Sequence, residues 1–210
     1  MKKYELYLFD FDGTLFDTFP ALNYVFKVSF KEVGITVTDE MIPWLSRVPL
    51  SESYETLGAP NDKEIIAKFI DKINESLDSE ECIRLTKPFK ETFELFDYIK
   101  RNNLKMGVVT SNNSGHVKDV LAHFGINSND FVTIIGNEES VKIKPDPTPI
   151  LVALKESGYL YKKDKVVYIG DSFNDYYCAK NAEVDAILLD RDNSSDKDFR
   201  KISHLMELFE

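Results

Sequence analysis

The apolar stretch Tyr4 to Phe9 runs directly into Asp10-Phe11-Asp12-Gly13-Thr14-Leu15. The stretch reads as a buried strand, and it delivers two carboxylates at its end. Side chains two apart in extended chain point the same way, so Asp10 and Asp12 converge on one spot, and Gly13 lets the backbone turn beyond them. That pairing suits covalent chemistry at phosphorus. One aspartate attacks to form an acyl phosphate, while the other protonates the leaving oxygen and later activates water. An Asp pair at a strand end also serves as a turn or helix cap, so the assignment depends on the rest of the chain.

Beyond this segment the chain alternates regularly. Short, β-rich apolar runs recur at Lys105 to Val109, Phe131 to Ile135, Val166 to Ile169 and Ala186 to Leu189. They do not alternate apolar with polar, as suits parallel strands buried on both faces. Helical patterns lie between them at Pro88 to Arg101, Gly115 to Phe124, Thr148 to Ser157 and Asn174 to Ala182. The expected fold is α/β, a doubly wound, Rossmann-like parallel sheet. Such sheets bind ligands outside the carboxyl ends of their strands, where Asp10, Thr110 and Asp171 all fall.

Residues 18–86 break the alternation with helical patterns and no convincing strand. Thr18 with Pro20 can start a helix that Gly34 stops, and Asn61-Asp62-Lys63-Glu64 resembles a capping box opening a helix through Leu77. The expected organisation is a core of residues 1–17 and 87–210 with an inserted helical domain, residues 18–86, flanked by hinges near Asp17 and Lys87-Pro88. Trp44, Phe26 and Phe30 supply the insertion's own small core.

Four segments occur in order: Asp10 to Leu15, Val108-Val109-Thr110-Ser111-Asn112, Lys144-Pro145, and Gly170-Asp171-Ser172-Phe173-Asn174-Asp175. Together they resemble the four motifs of the haloacid dehalogenase-like hydrolase superfamily, over nearly the whole chain. Phe16-Asp17-Thr18-Phe19-Pro20 and Lys144-Pro145-Asp146-Pro147 resemble its phosphoglycolate phosphatase and β-phosphoglucomutase branch, which carries a helical cap after the first motif. The resemblance implies that Asp10 is the nucleophile and binds metal through its other oxygen. It implies that Asp12 is the general acid and base and contributes its backbone carbonyl to the metal. Asp12 also argues against a true dehalogenase, because a halide leaving group needs no proton.

The remaining site residues come from the same motifs. Thr110 and the backbone N–H of Ser111 are placed to bond phosphoryl oxygens, while Asn112 either contacts substrate or caps the next helix. Lys144 offsets the carboxylates and holds phosphate, its approach stiffened by Pro145. Asp171 is the expected direct metal ligand, and Asp175 is expected to bind the metal or to hold a group that does. Four carboxylates in one crevice resist joint ionisation and require a cation. With oxygen ligands only, the expected ion is Mg²⁺. Arg47, in Arg47-Val48-Pro49-Leu50, stands where relatives carry glycine in a specificity turn. Either it reaches the far end of the substrate or it is a solvated arginine pairing with Glu52 or Glu55. Glu183-Val184 stands where relatives often have Ala-Gly, a matter of turn geometry. His116, His123 and His204 lack a metal motif.

The expected reaction is Mg²⁺-dependent hydrolysis of a small phosphorylated metabolite, phosphoglycolate-like or sugar-phosphate-like. Two rivals stand beside it: a phosphosugar mutase using the same residues, and a non-catalytic phosphate-binding regulator, which would predict loss of Asp10, Asp12, Lys144 or Asp171. A net charge of -10 disfavours nucleic acid as a partner. It permits a small anionic substrate, because screening acts over about 8 Å at physiological salt. Cys82 and Cys178 are too few for a disulfide framework. Met1-Lys2-Lys3 opens like a signal peptide, but Glu5, Asp10 and Asp12 interrupt its apolar region, and no run reaches membrane-spanning length. A cytoplasmic enzyme, monomeric or homodimeric, is expected, with no membrane partner.

Overall fold

The computed structural model describes residues 3–210 apart from 46, 47, 49 and 196. In chain order the elements are β1 (Leu6–Phe9), β2 (Phe16–Asp17), α1 (Phe19–Glu32), α2 (Ile42–Leu45), α3 (Leu50–Thr56), α4 (Lys63–Leu77) and α5 (Glu80–Leu85). Next come β3 (Lys87–Pro88), α6 (Thr92–Arg101), β4 (Lys105–Val109), α7 (Ser114–His123), β5 (Ile134–Ile135) and α8 (Thr148–Ser157). The chain closes with β6 (Val166–Gly170), α9 (Phe173–Asn181), β7 (Asp185–Leu189) and β8 (Lys201–Ile202). It divides into two compact units, Met1–Asp17 with Pro88–Glu210, and Thr18–Lys87.

The first unit is a six-stranded parallel sheet in the order β5-β4-β1-β6-β7-β8, flanked by helices. Leu6 and Leu8 of β1 face a fully apolar layer in which Ile150, Ala153 and Leu154 of α8 meet Cys178 and Ala179 of α9. Tyr7 points to the opposite face, where its ring meets Phe209 at 5.3 Å, and Phe209 stacks on Tyr98 of α6 at 4.1 Å. Burial on both faces explains why the strands read as unbroken apolar runs. The expected run from Phe131 shortens to Ile134–Ile135, because Ser128–Asp130 forms a 3-10 turn and Val132 is an edge residue, partly exposed.

The second unit is helical. Asp62 caps α4 by accepting hydrogen bonds from the backbone N–H of Glu64 and Ile65. The cap is therefore Asp62 rather than Asn61, one residue later than the box pattern suggests. Phe30, Phe69 and Tyr54 form the centre of this unit, with successive ring centroids 4.8 Å apart. Phe26 lies beside them and Trp44 packs against the cluster. Gly34, at φ 80°, ends the turn after α1 in the left-handed region.

Candidate active site

Strand register brings the motifs to one level. Phe9 aligns with Val108 on one side and with Ile169 on the other. The next residues along these three central strands are therefore Asp10, Val109 with Thr110 beyond it, and Gly170 with Asp171 beyond it. The Asp10 backbone N–H donates to the Ile169 carbonyl at 2.8 Å, so the ladder runs up to the carboxylate itself.

Lys144 sits at the centre of the charge network. Its Nζ donates to Asp10 Oδ1 at 2.7 Å and to Asp175 Oδ1 at 2.6 Å, with Tyr168 Oη at 3.3 Å. Its side chain is only 7% exposed. Burial alone would lower its pKa, but the charges of Asp10 and Asp175 outweigh burial and hold it raised, favouring the charged form. The loop that carries it is anchored in turn. Asn181 donates to the Pro145 carbonyl, the Cys178 thiol to the Asp146 carbonyl, and Asp146 accepts from the Thr148 N–H at the start of α8.

Asp175 is buried and fully engaged. Oδ1 accepts from Lys144 and lies 3.0 Å from Tyr168 Oη; Oδ2 accepts from the Ser172 hydroxyl and backbone N–H. The Ser172 and Asp175 bonds form a reciprocal capping box that opens α9. The single Tyr168 proton goes to the Val109 carbonyl at 2.8 Å, so Asp175 accepts three hydrogen bonds, from Lys144 and twice from Ser172.

Asp10, Asp171 and Asp175 place ligand oxygens within 4.8 Å of one another. Two glycines beside these carboxylates have no room for a side chain. A Cβ at Gly13 would stand 2.4 Å from Asp171 Oδ2, and one at Gly170 would stand 2.4 Å from Asp175 Cβ, so both glycines are required by close approach. Desolvation and the negative charge of Asp175 push the Asp171 carboxyl up to about 7 against the pull of Lys144. Asp10 is likewise raised by burial, then relieved by Lys144 and opposed by Asp175, Asp171 and Asp12. One lysine does not neutralise this many carboxylates. An all-oxygen donor set with excess negative charge fits a hard divalent cation.

Asp12 faces elsewhere. Its Oδ2 accepts from the Thr110 hydroxyl at 3.2 Å, and Thr110 Oγ1 accepts from the Asn112 N–H at 3.0 Å. Asn113, not Asn112, caps α7, accepting from Gly115 and His116. Asn112 instead accepts from the Asn113 N–H, and Ser111 is exposed beside it. Thr110, Ser111 and Lys144 line one small cleft. Arg47 lies outside the described residues.

Two sets of residues carry no motif that sequence reasoning could have found. Tyr168 donates to the Val109 carbonyl at 2.8 Å and joins Lys144 to Asp175 from within the core. Its one signal is a lone hydroxyl in an aliphatic strand, two residues before Gly170 and so on the same face. Arg191 and Glu91, which pair with each other, give no local signal at all.

A model of the haloacid dehalogenase-like hydrolase family matches residues 7–189. The pyrophosphatase PpaX of Bacillus velezensis is 26% identical over 183 residues, 86% of this chain and 81% of that protein. The phosphoglycolate phosphatase of Haemophilus influenzae is 24% identical over 188 residues, 86% of this chain and 83% of that one. Among solved structures, a Bacteroides fragilis protein described as a haloacid dehalogenase-like hydrolase is 27% identical, covering 98% of this chain and all of its own, with a TM-score of 0.85.

Proposed function

We propose that this chain, which belongs to the haloacid dehalogenase-like hydrolase family and is a phosphatase, hydrolyses small phosphate monoesters through a covalent phosphate on Asp10. The observation that carries the reading is the Asp10–Lys144–Asp175 array at the strand ends, with the Asp12–Thr110 pair beside it.

Lys144 holds Asp10 Oδ1, which leaves Oδ2 to attack phosphorus. The ester P–O bond breaks as the Asp10–phosphorus bond forms, and Asp12 gives its proton to the departing alcohol oxygen. Thr110 holds Asp12 in place before substrate enters. As the phosphoryl group enters, the Thr110 hydroxyl exchanges Asp12 for a phosphoryl oxygen beside the Ser111 N–H. Asp12 then takes a proton from water, the water oxygen attacks phosphorus, and Asp10 is released with inorganic phosphate. Asp175 works as a fixed acceptor that keeps Lys144 charged and in place. Its hydrogen bonds from Lys144 and Ser172 support this role.

Asp10, Asp171 and the Asp12 backbone carbonyl would hold Mg²⁺, which when bound offsets the carboxylates and the charge on the phosphoryl oxygens. The two curated relatives act on different phosphates, a pyrophosphate in one and phosphoglycolate in the other. We therefore assign the class, a small phosphorylated metabolite, with the helical insertion as the specificity-bearing cap. No helix among the described residues is long and apolar enough to cross a membrane, and we place the enzyme in the cytoplasm. The test is phosphate release from a panel of phosphorylated metabolites with Mg²⁺. Release from at least one, abolished by Asp10→Asn, is expected. Undiminished turnover by a folded Asp10→Asn protein would overturn the covalent route.

A further inference from the structure

We infer that Arg191 is a positioning residue for the general acid, acting through the turn that carries Asp12; the inference rests on the proposed acid role of Asp12. Arg191 lies two residues past β7 and is remote in sequence from every motif. Its guanidinium lies 3.7 Å over the Phe89 ring, donates through Nη1 to Glu91, and donates through Nη2 to the Thr14 carbonyl at 3.0 Å. Thr14 is fully buried and Glu91 is 5% exposed. A guanidinium so stacked and paired has a fixed plane, and a fixed plane aims its second donor.

The segment it holds is the turn after β1. Within that turn the Gly13 N–H donates to the Phe16 carbonyl, and the Leu15 and Phe16 N–H groups share the Phe11 carbonyl. Those bonds close the loop upon itself but do not fix it to the sheet. The attachment comes from outside. Arg191 takes the Thr14 carbonyl, while the Thr92 hydroxyl, at 2.7 Å, and the Phe89 N–H, at 3.2 Å, take that of Leu15. Only the first of these three donors is charged, and the carbonyl it holds is the nearer in sequence to Asp12. Gly13, between Asp12 and Thr14, is at φ 74° and pressed against Asp171. A rotation of the Thr14 peptide is therefore transmitted to Asp12 and away from its 3.2 Å contact with Thr110.

An acid's position matters in proportion to how badly the leaving group needs a proton. Phenyl phosphate and p-nitrophenyl phosphate are nearly alike in shape, but phenolate, with a pKa of about 10 like that of tyrosine, is much the more basic. Each is assayed for kcat/KM with wild type, Arg191→Met, Arg191→Lys and Asp12→Asn, in Mg²⁺. Arg191→Met should lose about tenfold more on phenyl phosphate than on the nitrophenyl ester, a fraction of full acid loss. Arg191→Lys, which keeps charge without the planar fork, should show the same bias more weakly, and it serves if the methionine variant does not fold. An equal loss on both esters in either folded variant, or none, would overturn the inference while Asp12→Asn shows the bias. If Asp12→Asn itself lacks the bias, the acid role fails first and takes this inference with it.

Discussion

Asp10 is held by Lys144, which Asp175 shares, and substituting Asp10 separates charge from shape. Asp10→Asn keeps volume and one oxygen that can accept from Lys144 but loses the anion, so the expected result is a folded protein nearly without turnover, checked by circular dichroism beside phosphate release. Tyr168 offers a subtler test. Tyr168→Phe removes the donor to the Val109 carbonyl and one contact of Asp175, and should cost about 1 kcal/mol of stability in urea unfolding. Glu91 gives a pH signature. Burial raises its carboxyl, but the hydrogen bond from Arg191, the backbone and the nearby charges of Arg191 and His204 outweigh burial, so its pKa is lowered on folding. The unfolded chain then binds its proton more readily. The stabilisation is full above the unfolded pKa and is lost as pH falls through the folded one. Thermal midpoints measured from about pH 6 down to about pH 3 should fall more steeply for wild type than for Glu91→Gln.

At the level of elements, two junctions are informative. The turn from α9 to β7 places Glu183 at φ 61°, a left-handed backbone that a side chain disfavours by about 1–2 kcal/mol. The sequence oddity at Glu183-Val184 therefore resolves onto Glu183, not Val184. Its compensation is an ion pair with Lys163 at 3.0 Å, but Glu183 is 80% exposed there and such pairs contribute little. Glu183→Gly should raise stability by about 0.5–1 kcal/mol in denaturant titration despite losing that pair. At α4 the Asp62 cap satisfies two N–H groups, and Asp62→Ala should lower stability by about 1 kcal/mol if the two units unfold together. A separate early transition confined to the helical unit would show instead that they do not.

For the whole molecule, a cluster of mutually repelling carboxylates costs stability that a bound cation would restore. Added Mg²⁺ should raise the thermal midpoint, because the folded chain gathers Asp10, Asp171 and Asp175 and the unfolded chain does not. Asp171→Asn should shrink that rise. In the presence of a chelator the same variant should melt above wild type, since one of the repelling charges is gone. A chelated Asp171→Asn protein melting below wild type would mean that the cluster is not strained without its ion.

The alternation of buried strands and helices, the places where α1, α4 and α8 begin or end, and the ordered motifs were all legible in the amino-acid order. Each of these is local. An apolar run, a Pro near a helix start, a Gly past its end or an Asp at its cap acts through its own few residues, and Gly158, left-handed after Ser157, is such a case. Folding in three dimensions settled whatever depends on neighbours distant along the chain. Register set Phe9 level with Val108 and Ile169, and so brought Asp10, Thr110 and Asp171 to one end of the sheet. Only the folded core could reveal that Tyr168 Oη reaches Asp175, or that Arg191 reaches back 177 residues to the Thr14 carbonyl. Those bonds have no periodicity and no motif, because their geometry is imposed by β6 pairing with β1 and β7 with β6, and not by any preference of the residues that make them.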